Sequence, residues 1–289
     1  MIDGYDLHVH TTASDGALTP YEVIDAASSI GLKGIALTDH DTVAGLEPAR
    51  RYLERNPGLR LELIPGIELN TEAGDEEVHI LGYFIDPENA ALNQHLRDIR
   101  TSRHDRALKI VDRLQQAGLA ISFDQVQKLT RGESMGRPHI ARALIENGYV
   151  NSIEEAFDKY IGRGRPGFVP RYKFLPAEAV ELIKGAGGIA VLAHPGLLKV
   201  PEKIIEIIKL GIEGLEVYYP EHSGEQQQEL AILAGQYKLL ITGGSDFHGP
   251  ASQESRAGLG SSIISSELLA CMRLHLSSRP KFNRAVPGT

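Results

Sequence analysis

Two histidines stand two residues apart near the start of the chain, in the stretch LHVHTTASDG from Leu7 to Gly16. Alternation along a β-strand would place His8 and His10 on one face, with Leu7 and Val9 on the other. Two imidazoles this close are unfavourable if both are charged, but they are well suited to sharing a metal ion. The alternative is that both are ordinary polar residues on an edge strand, and the pair by itself does not decide between the two.

Seven further residues with metal-ligand side chains lie in or directly after other apolar segments. They are Asp15, His40, Glu68, His79, His194, Asp246 and His248. Most of them come where a predicted strand ends, and in parallel α/β folds the residues at that edge gather at one site. Each one alone could be a hydrogen-bonded core residue. Together with His8 and His10, they are better interpreted as one site.

Nine nitrogen and oxygen ligands are too many for one tetrahedral ion, which takes four. They suit two or three divalent ions, and imidazole with carboxylate fits zinc, manganese or iron. Cys271 is the only cysteine, which excludes a cysteine-based zinc site and a disulfide framework. Asp39 and Asp41 flank His40. They could orient the metal ligands by hydrogen bonds without binding the metal themselves, or they could cap a helix or loop.

Apolar runs predict seven strands that would position these residues. They cover residues 5–8, 34–37, 61–67, 78–84, 188–193, 214–217 and 239–242. Helical patterns lie between several of them, and one helix should begin at Thr19-Pro20 with Glu22 in its first turn and end at Gly31. This alternation predicts an α/β fold with a mainly parallel sheet, plausibly a barrel.

Residues 89–175 interrupt the alternation. They predict successive helices at 89–117, 123–129, 138–147 and 153–160, followed by the loop GRGRPGFVPRYKF. We interpret residues 89–175 as a helical subdomain inserted in a barrel formed by residues 1–88 and 176–289. Arginines recur every three residues in the first helix, at Arg97, Arg100, Arg103 and Arg106. Because aspartates are interleaved with them, a solvated, mixed-charge face is the better interpretation than an RNA track.

Composition limits the possible partners. The chain has 289 residues, of which 42% are hydrophobic and 24% charged, with a formal net charge of −8. This charge argues against sequence-independent binding to duplex DNA, but not against an anionic substrate at a locally positive site. No apolar run approaches the length of a membrane span, and the first residues lack the pattern of a signal peptide. We therefore expect a cytoplasmic protein that does not bind a membrane.

The ordered set of motifs resembles the PHP (polymerase and histidinol phosphatase) superfamily from one end of the chain to the other. The motifs are H-x-H with a following aspartate, TDHD, the glutamate of GIE, a histidine within a strand, AHP and SDFH. The resemblance implies a distorted seven-stranded β/α barrel, here with the inserted helical subdomain, around a trinuclear metal centre. Asp15 stands where some family members have histidine, which favours a harder ion such as manganese.

The resemblance also implies how the ligands are shared among the metals. His8, His10, Glu68 and Asp246 would hold the first metal. Glu68 would bridge to a second metal, also bound by His79 and His194. Asp15, His40 and His248 would hold the third.

GRPHIARAL and the arginine-rich loop of the insertion resemble a narrower subgroup, the bacterial 3',5'-nucleoside bisphosphate phosphatases, some of which act as 5'-to-3' exoribonucleases on short RNA. Arg137 precedes a predicted helix and could bind phosphate oxygens in bidentate fashion. Arg165 and Arg171 could bind a second phosphate, or could be solvated loop charges. His222, after the strand EVYYPE, could donate a proton to the leaving oxygen or a hydrogen bond to phosphate.

These observations predict a metal-dependent phosphohydrolase that removes the 3'-phosphate of nucleoside 3',5'-bisphosphates, with Glu68, Arg137 and His222 as catalytic residues. Short single-stranded RNA is a further candidate substrate. Metals that share a ligand would lower the pKa of a bridging water, so that hydroxide could attack phosphorus. The alternatives are a phosphomonoesterase similar to histidinol phosphatase and a non-catalytic metal-binding module. An amide-bond hydrolase is less well matched, because no lysine follows a predicted strand as a bridging ligand.

Overall fold

A seven-stranded sheet forms the centre of the protein, which a computed structural model describes at residues 4–130, 135–170, 172–249 and 257–279. The strands lie side by side in the order in which they occur in the chain. They are β1 (Tyr5–Val9), β2 (Gly34–Leu37), β3 (Glu62–Ala73), β4 (Glu76–Tyr83), β5 (Ile189–Leu192), β6 (Gly214–Tyr218) and β7 (Leu240–Gly243). All seven predicted strands are present, and β3 continues beyond its predicted end at residue 67.

Helices surround the sheet. They are α1 (Pro20–Ser29), α2 (Leu46–Arg55), α3 (Ala90–Gln116), α4 (Phe123–Leu129), α5 (Arg137–Glu146), α6 (Ile153–Ala156), α7 (Pro176–Gly185), α8 (Glu202–Ile208), α9 (Gly224–Tyr237) and α10 (Ser266–Ser278). A π-helical turn (Phe157–Ile161) continues α6, and a 3₁₀ turn (Pro195–Leu197) follows β5. Within the described ranges, no helix has both the length and the hydrophobicity needed to cross a bilayer.

Helix α1 shows how local sequence sets the ends of an element. The Thr19 hydroxyl accepts a hydrogen bond from the Glu22 backbone, and the Glu22 carboxylate accepts one from the Thr19 backbone. This capping box satisfies donors that the first turn leaves unpaired, and Pro20 needs no donor there. Gly31 follows the helix with a φ of +80°, a conformation that other residues rarely adopt. The predicted start and end of α1 are therefore confirmed.

The sheet is mainly parallel, as predicted, with one antiparallel strand that makes it mixed. Strands β1, β2 and β3 are parallel to one another, and so are β5, β6 and β7. Strand β4 is antiparallel to both of its neighbours. The reason is local: Gly74, with a φ of +67°, lies in the short turn between β3 and β4, and strands joined by so short a turn must run antiparallel.

The two ends of the sheet approach each other, which curls it into the predicted distorted barrel. Val9 in β1 forms a parallel bridge with Phe247, which follows β7. The His10 amide donates to the Phe247 carbonyl at 2.9 Å, and the Phe247 amide donates to the His8 carbonyl at 3.3 Å. Gly244 lies against this seam, where a Cβ atom would be 2.3 Å from the His8 nitrogen. Curling brings residues after β7 next to residues of β1.

The helices between residues 90 and 161 have a hydrophobic cluster of their own. Its buried members run from Ala107 to Val169 and include Leu114, Val126 and Leu144. Helix α3 joins this cluster to the barrel, because Leu92 and other residues of its first half pack in the main core. The division into a barrel (1–88 and 176–289) and an insertion (89–175) stays a prediction, and this separate cluster supports it.

Replacing Gly244 by alanine should destabilise the closed barrel, because the added methyl group would overlap the backbone of His8. We expect the free energy of unfolding to fall by about 1–3 kcal/mol in urea titrations of metal-free protein. Gly235 in α9 is the matched control, since a Cβ there meets nothing within 4 Å. Gly235→Ala should raise the free energy of unfolding by about 0.5–1 kcal/mol. Equal stability of the two variants would contradict the close approach at the seam.

Candidate metal centre

The structure brings all nine predicted metal ligands together at one end of the barrel. His8 lies in β1 and His10 directly after it, and Glu68 and His79 lie on β3 and β4. The other five lie in loops that follow strands: Asp15, His40, His194, Asp246 and His248. Alternation along β1 puts His8 and His10 on the same face, as the sequence predicts, with ring centroids 5.1 Å apart.

Four of these residues form a compact buried group: His8, His10, Glu68 and Asp246. The His8 Nε2 atom lies 3.2 Å from Glu68 Oε2 and 3.3 Å from Asp246 Oδ1. The His10 Nε2 atom lies 3.2 Å and 3.1 Å from the same two oxygens. One ligand atom from each residue lies within 4.8 Å of the others. This is the set that the resemblance implies for the first metal.

Glu68 also contacts three further histidines of the centre. Its Oε1 atom lies 2.9 Å from His79 Nδ1 and 3.3 Å from His194 Nε2, and its Oε2 atom lies 3.0 Å from His40 Nδ1. His40, Glu68 and His79 form a second group within ligand distance, and His194 belongs to none of the groups found among the described residues. The two oxygens of Glu68 thus face different histidines, an arrangement suited to a shared ligand.

A third group contains His10, Asp15, His40 and His248. The His248 Nε2 atom lies 3.5 Å from Asp15 Oδ1, and the ring of His248 stacks on that of His10 with centroids 4.1 Å apart. His10 and His40 each belong to two groups, so distance does not assign either residue to one metal. The division of ligands among three metals stays a prediction.

The residues present fit a set of divalent cations. Several ligand atoms are buried and have no hydrogen-bond partner among the described residues, namely His8 Nε2, His10 Nε2, Asp15 Oδ1, His40 Nδ1 and Glu68 Oε2. Leaving such an atom unsatisfied costs about 1–3 kcal/mol, so a cluster of them needs a compensating ligand. Their nitrogen and oxygen chemistry fits zinc, manganese or iron.

The electrostatics of the centre favour ionised carboxylates. Burial would raise the pKa of Glu68, but the positive charge of the neighbouring histidines outweighs burial and holds that pKa well below its usual range. The pKa values of Asp15 and Asp246 are lowered in the same way. Burial lowers the pKa of His40 to about 4, whereas Asp246 and Glu68 outweigh burial at His10 and raise its pKa to about 10. A cation binds anionic carboxylates and neutral imidazoles, so its binding would displace a proton such as that of His10.

Glu216, on β6, is a supporting residue that the sequence analysis missed. Its Oε1 atom is 2.9 Å from His8 Nδ1, and its Oε2 atom accepts a hydrogen bond from the His194 amide at 2.8 Å. Because His8 Nδ1 carries the proton in this contact, its Nε2 atom is free to face the centre. The sequence signal that could have revealed Glu216 is an acidic residue within the apolar run GLEVY. In the structure this side chain has no exposed surface.

Asp39 and Asp41 accept hydrogen bonds from residues of the loops and strands next to the predicted ligands. The Asp39 carboxylate accepts hydrogen bonds from Thr11 and Ser14, which fixes the loop leading to Asp15. The Asp41 carboxylate accepts from the backbone and side chain of Asn70 and pairs with Arg103. Neither carboxylate belongs to a ligand group within the described residues.

The backbone is strained where three loops enter the centre. Asp41, His194 and Asp246 have φ angles of 51°, 29° and 52°, in a region that residues other than glycine seldom adopt. Such strain persists only where surrounding contacts hold it, and it is common at functional sites. Here the contacts are those of Asn70 to Asp41, Glu216 to the His194 amide and Tyr219 to Asp246.

A cavity of about 540 Å³ opens beside the metal-ligand groups. Its lining includes Asp15, His40 and His79 from the ligand groups, and Arg103, Arg106 and Arg137 together with other residues of α3 and α5. Arg137 lies over the Phe157 ring, 4.7 Å from its centroid, and 3.7 Å from Glu77. The predicted phosphate-binding residue Arg137 is therefore part of the cavity.

The interpretation of the α3 arginines as a solvated, mixed-charge face is wrong for Arg103. Its guanidinium pairs with the buried carboxylate of Asp41 and lines the cavity. The pattern of alternating charges on α3 gave no sign of this, because Asp41 is 62 residues away in the chain. Of the two loop arginines that the sequence singles out, Arg165 is exposed and does not line the cavity, and Arg171 lies outside the described residues.

Both ring nitrogens of His222 are engaged with the backbone. Its Nδ1 atom is 2.9 Å from the Val217 carbonyl, and its Nε2 atom accepts a hydrogen bond from the Gly196 amide at 3.0 Å. A proton-donor or phosphate-binding role would require one of these bonds to break. In this conformation His222 instead packs against Tyr219, whose hydroxyl donates to Asp246 at 3.0 Å.

Replacing Glu216 by glutamine should weaken cation binding about 10- to 100-fold, because the substitution removes the charge that holds the His8 ring in its tautomer. Competition of manganese or zinc between the protein and a chelator would measure the dissociation constants. Glu213→Gln is the matched control, because Glu213 contacts His275 and Arg279 away from the centre. Unchanged affinity in Glu216→Gln would contradict the supporting role.

Known proteins share this architecture. The PHP domain family matches residues 6–166. The chain is 38% identical to the 5'-3' exoribonuclease Rnm of Escherichia coli (strain K12) over 85% of either chain. It is 38% identical to the 3',5'-nucleoside bisphosphate phosphatase of Chromobacterium violaceum, over 85% of this chain and 87% of that one.

A crystal structure from Bifidobacterium adolescentis, of a protein inferred to be a metal-dependent phosphoesterase, has the same fold. It superimposes with a TM-score of 0.83 at 32% identity and covers 95% of this chain and 96% of that one. The family match covers more than half of the chain, and the relatives align over most of their length. This chain therefore belongs to the PHP domain family and is a hydrolase of phosphoesters.

Proposed function

We propose that the protein removes the 3'-phosphate of nucleoside 3',5'-bisphosphates, for example converting adenosine 3',5'-bisphosphate to AMP. The centre would bind two or three divalent ions, of manganese, zinc or iron, through His8, His10, Asp15, His40, Glu68, His79, His194, Asp246 and His248. Arg137 would bind phosphate in the adjoining cavity. A relative with 38% identity is named as a phosphatase of this substrate class, which supports the choice.

The observation that carries the proposal is one cavity lined by predicted metal ligands and by arginines. Asp15, His40 and His79 line one wall, and Arg103, Arg106 and Arg137 line another, the arginine wall. A substrate with two phosphates can engage both walls at once, whereas a monoester engages only one. Arginine suits the second wall, because its guanidinium matches phosphate oxygens in bidentate fashion and keeps its charge.

The charge of the centre is also suited to phosphate. Asp15, Glu68 and Asp246 supply three negative charges, so two or three divalent ions would leave a net charge of about +1 to +3. When bound, these cations would supply positive charge to phosphate oxygens and would make a water molecule more acidic. The chain's own contribution is to hold the carboxylates ionised, to fix the tautomer of His8 through Glu216 and to orient the substrate through Arg137.

Metal-loaded protein should release inorganic phosphate from adenosine 3',5'-bisphosphate, and a chelator should abolish the release. Adding back manganese, zinc or iron one at a time would identify the metals that restore turnover. Glu68→Gln should lower kcat/KM at least about 100-fold and should lose bound metal by elemental analysis, because Glu68 contacts ligands of every group. Full turnover in chelated wild-type protein would contradict the proposal.

Arg137→Ala should raise KM for the bisphosphate about 10- to 100-fold, since it removes a charged hydrogen-bond donor to phosphate. The effect on a monoester such as adenosine 3'-monophosphate should be smaller if Arg137 binds the second phosphate. Arg50→Ala is a control outside the cavity, because Arg50 pairs with Glu47 and Glu54 on α2. An equal rise in KM for both substrates would indicate that Arg137 binds the 3'-phosphate, which is the one that is hydrolysed.

Short single-stranded RNA is a second candidate substrate, and the shape of the surface supports it. A small cavity next to the main one shares Arg103, Arg106 and Asn70 with it and reaches Tyr172. A further groove continues from Arg106 and Tyr172 to Lys109 along α3. Relatives named as 5'-3' exoribonucleases support this reading. Comparing turnover of the bisphosphate with that of 5'-phosphorylated dinucleotides and longer RNA would rank the two candidates.

A phosphomonoesterase similar to histidinol phosphatase and a non-catalytic metal-binding module remain the competing hypotheses. The arginine wall favours a substrate with a second phosphate over a small monoester. The complete ligand set, buried and in contact, favours catalysis over a silent module. A kinetic competition between histidinol phosphate and adenosine 3',5'-bisphosphate separates the first of these hypotheses from the proposal.

A further inference from the structure

His139 is a buried histidine that belongs to none of the ligand groups within the described residues. It is the third residue of α5, and only 2% of its surface is exposed. His139 lines the same cavity as Asp15, His40 and Arg137. A buried polar side chain at the edge of a substrate cavity needs a hydrogen-bond partner, from the protein or from a ligand.

One edge of the His139 ring is held by the backbone. The Gly136 amide donates a hydrogen bond to His139 Nδ1 at 3.0 Å, in the manner of a capping box at the start of α5. Nδ1 is therefore an acceptor, and a neutral ring must carry its proton on Nε2. No acceptor for Nε2 is found among the described residues, and the Nε2 edge lies opposite the edge that faces Gly136.

The surroundings of His139 favour the neutral ring. Burial lowers the pKa of His139, and the charged groups that face it are Asp15 from the loop after β1, Arg103 from α3 and Arg142 from its own helix. The two arginines oppose protonation, and Asp15 favours it. A neutral imidazole with its proton on Nε2 is a hydrogen-bond donor of fixed direction.

We propose that His139 donates a hydrogen bond from Nε2 to an oxygen of the phosphate that is held at the metal centre. The inference rests on the proposed function, since it names a contact to the substrate of that reaction. Asp15, a predicted metal ligand, lines the same cavity and is among the charged groups that face the ring, which favours the phosphate at the metals over a second one as the partner of His139. Arg137, two residues before His139 on α5, lines the same cavity and adds a positive charge that favours an anion there.

Three substitutions separate donation to phosphate from simple capping of α5. Glutamine at the third helical position can accept from the Gly136 amide and still offers a donor. Glutamate can accept from the same amide but offers no donor. Methionine is neutral and offers neither. His104→Met is a control, because His104 is exposed on α3 and does not line the cavity.

We would measure kcat and KM for adenosine 3',5'-bisphosphate, the dissociation constant of inorganic phosphate by calorimetry on manganese-loaded protein, and the melting temperature. Donation predicts that His139→Met and His139→Glu weaken phosphate binding and lower kcat/KM about 10- to 100-fold, while His139→Gln restores most of both. The His104→Met control should match wild type.

Other outcomes overturn the inference. If His139→Glu and His139→Gln are both active and only His139→Met fails, with a lower melting temperature, the residue acts as a cap alone. If all three bind phosphate as wild type does, it has no role toward the anion. If wild-type protein does not hydrolyse the bisphosphate, the proposed function fails by itself, and the phosphate dissociation constants still decide the role of His139.

Discussion

The burial of Glu68 among imidazoles is the constraint on which the rest of the structure depends. A carboxylate with 1% of its surface exposed is costly to desolvate unless positive charge surrounds it, and Glu68 contacts five histidines from four parts of the barrel. Those histidines are in turn crowded enough to repel one another when protonated. Divalent cations satisfy both requirements, because they replace the shared protons and neutralise the carboxylates.

Strand ends and helices contribute different parts of the cavity. Strand ends carry the predicted metal ligands, and the seam between β1 and the residues after β7 holds two of these ends together. Helices α3 and α5 carry the arginines and His139. The pair of Arg103 with Asp41 links the two parts, since Asp41 is adjacent to His40.

Much of the fold and the ligand set could be predicted because the signals are local. Apolar runs of strand length predict β1 to β7, and ligand-type residues at their ends predict the centre. The antiparallel direction of β4 was missed because the turn at Gly74 was not weighed against the parallel alternation. Glu216, Arg103 and His139 were missed because nothing beside them in sequence indicates their partners.

The sequence by itself determined the strands, the caps of α1, the chemistry of the nine predicted ligands and the family, since each depends on residue type and short-range spacing. The tertiary structure alone decided which predicted ligands face each other, which partners the ring nitrogens of His222 have, and where Arg137, Arg165 and His139 lie relative to the cavity. The physical reason is distance along the chain. His8 meets Glu216 across 208 residues and Arg103 meets Asp41 across 62, and only the folded chain brings such pairs into contact.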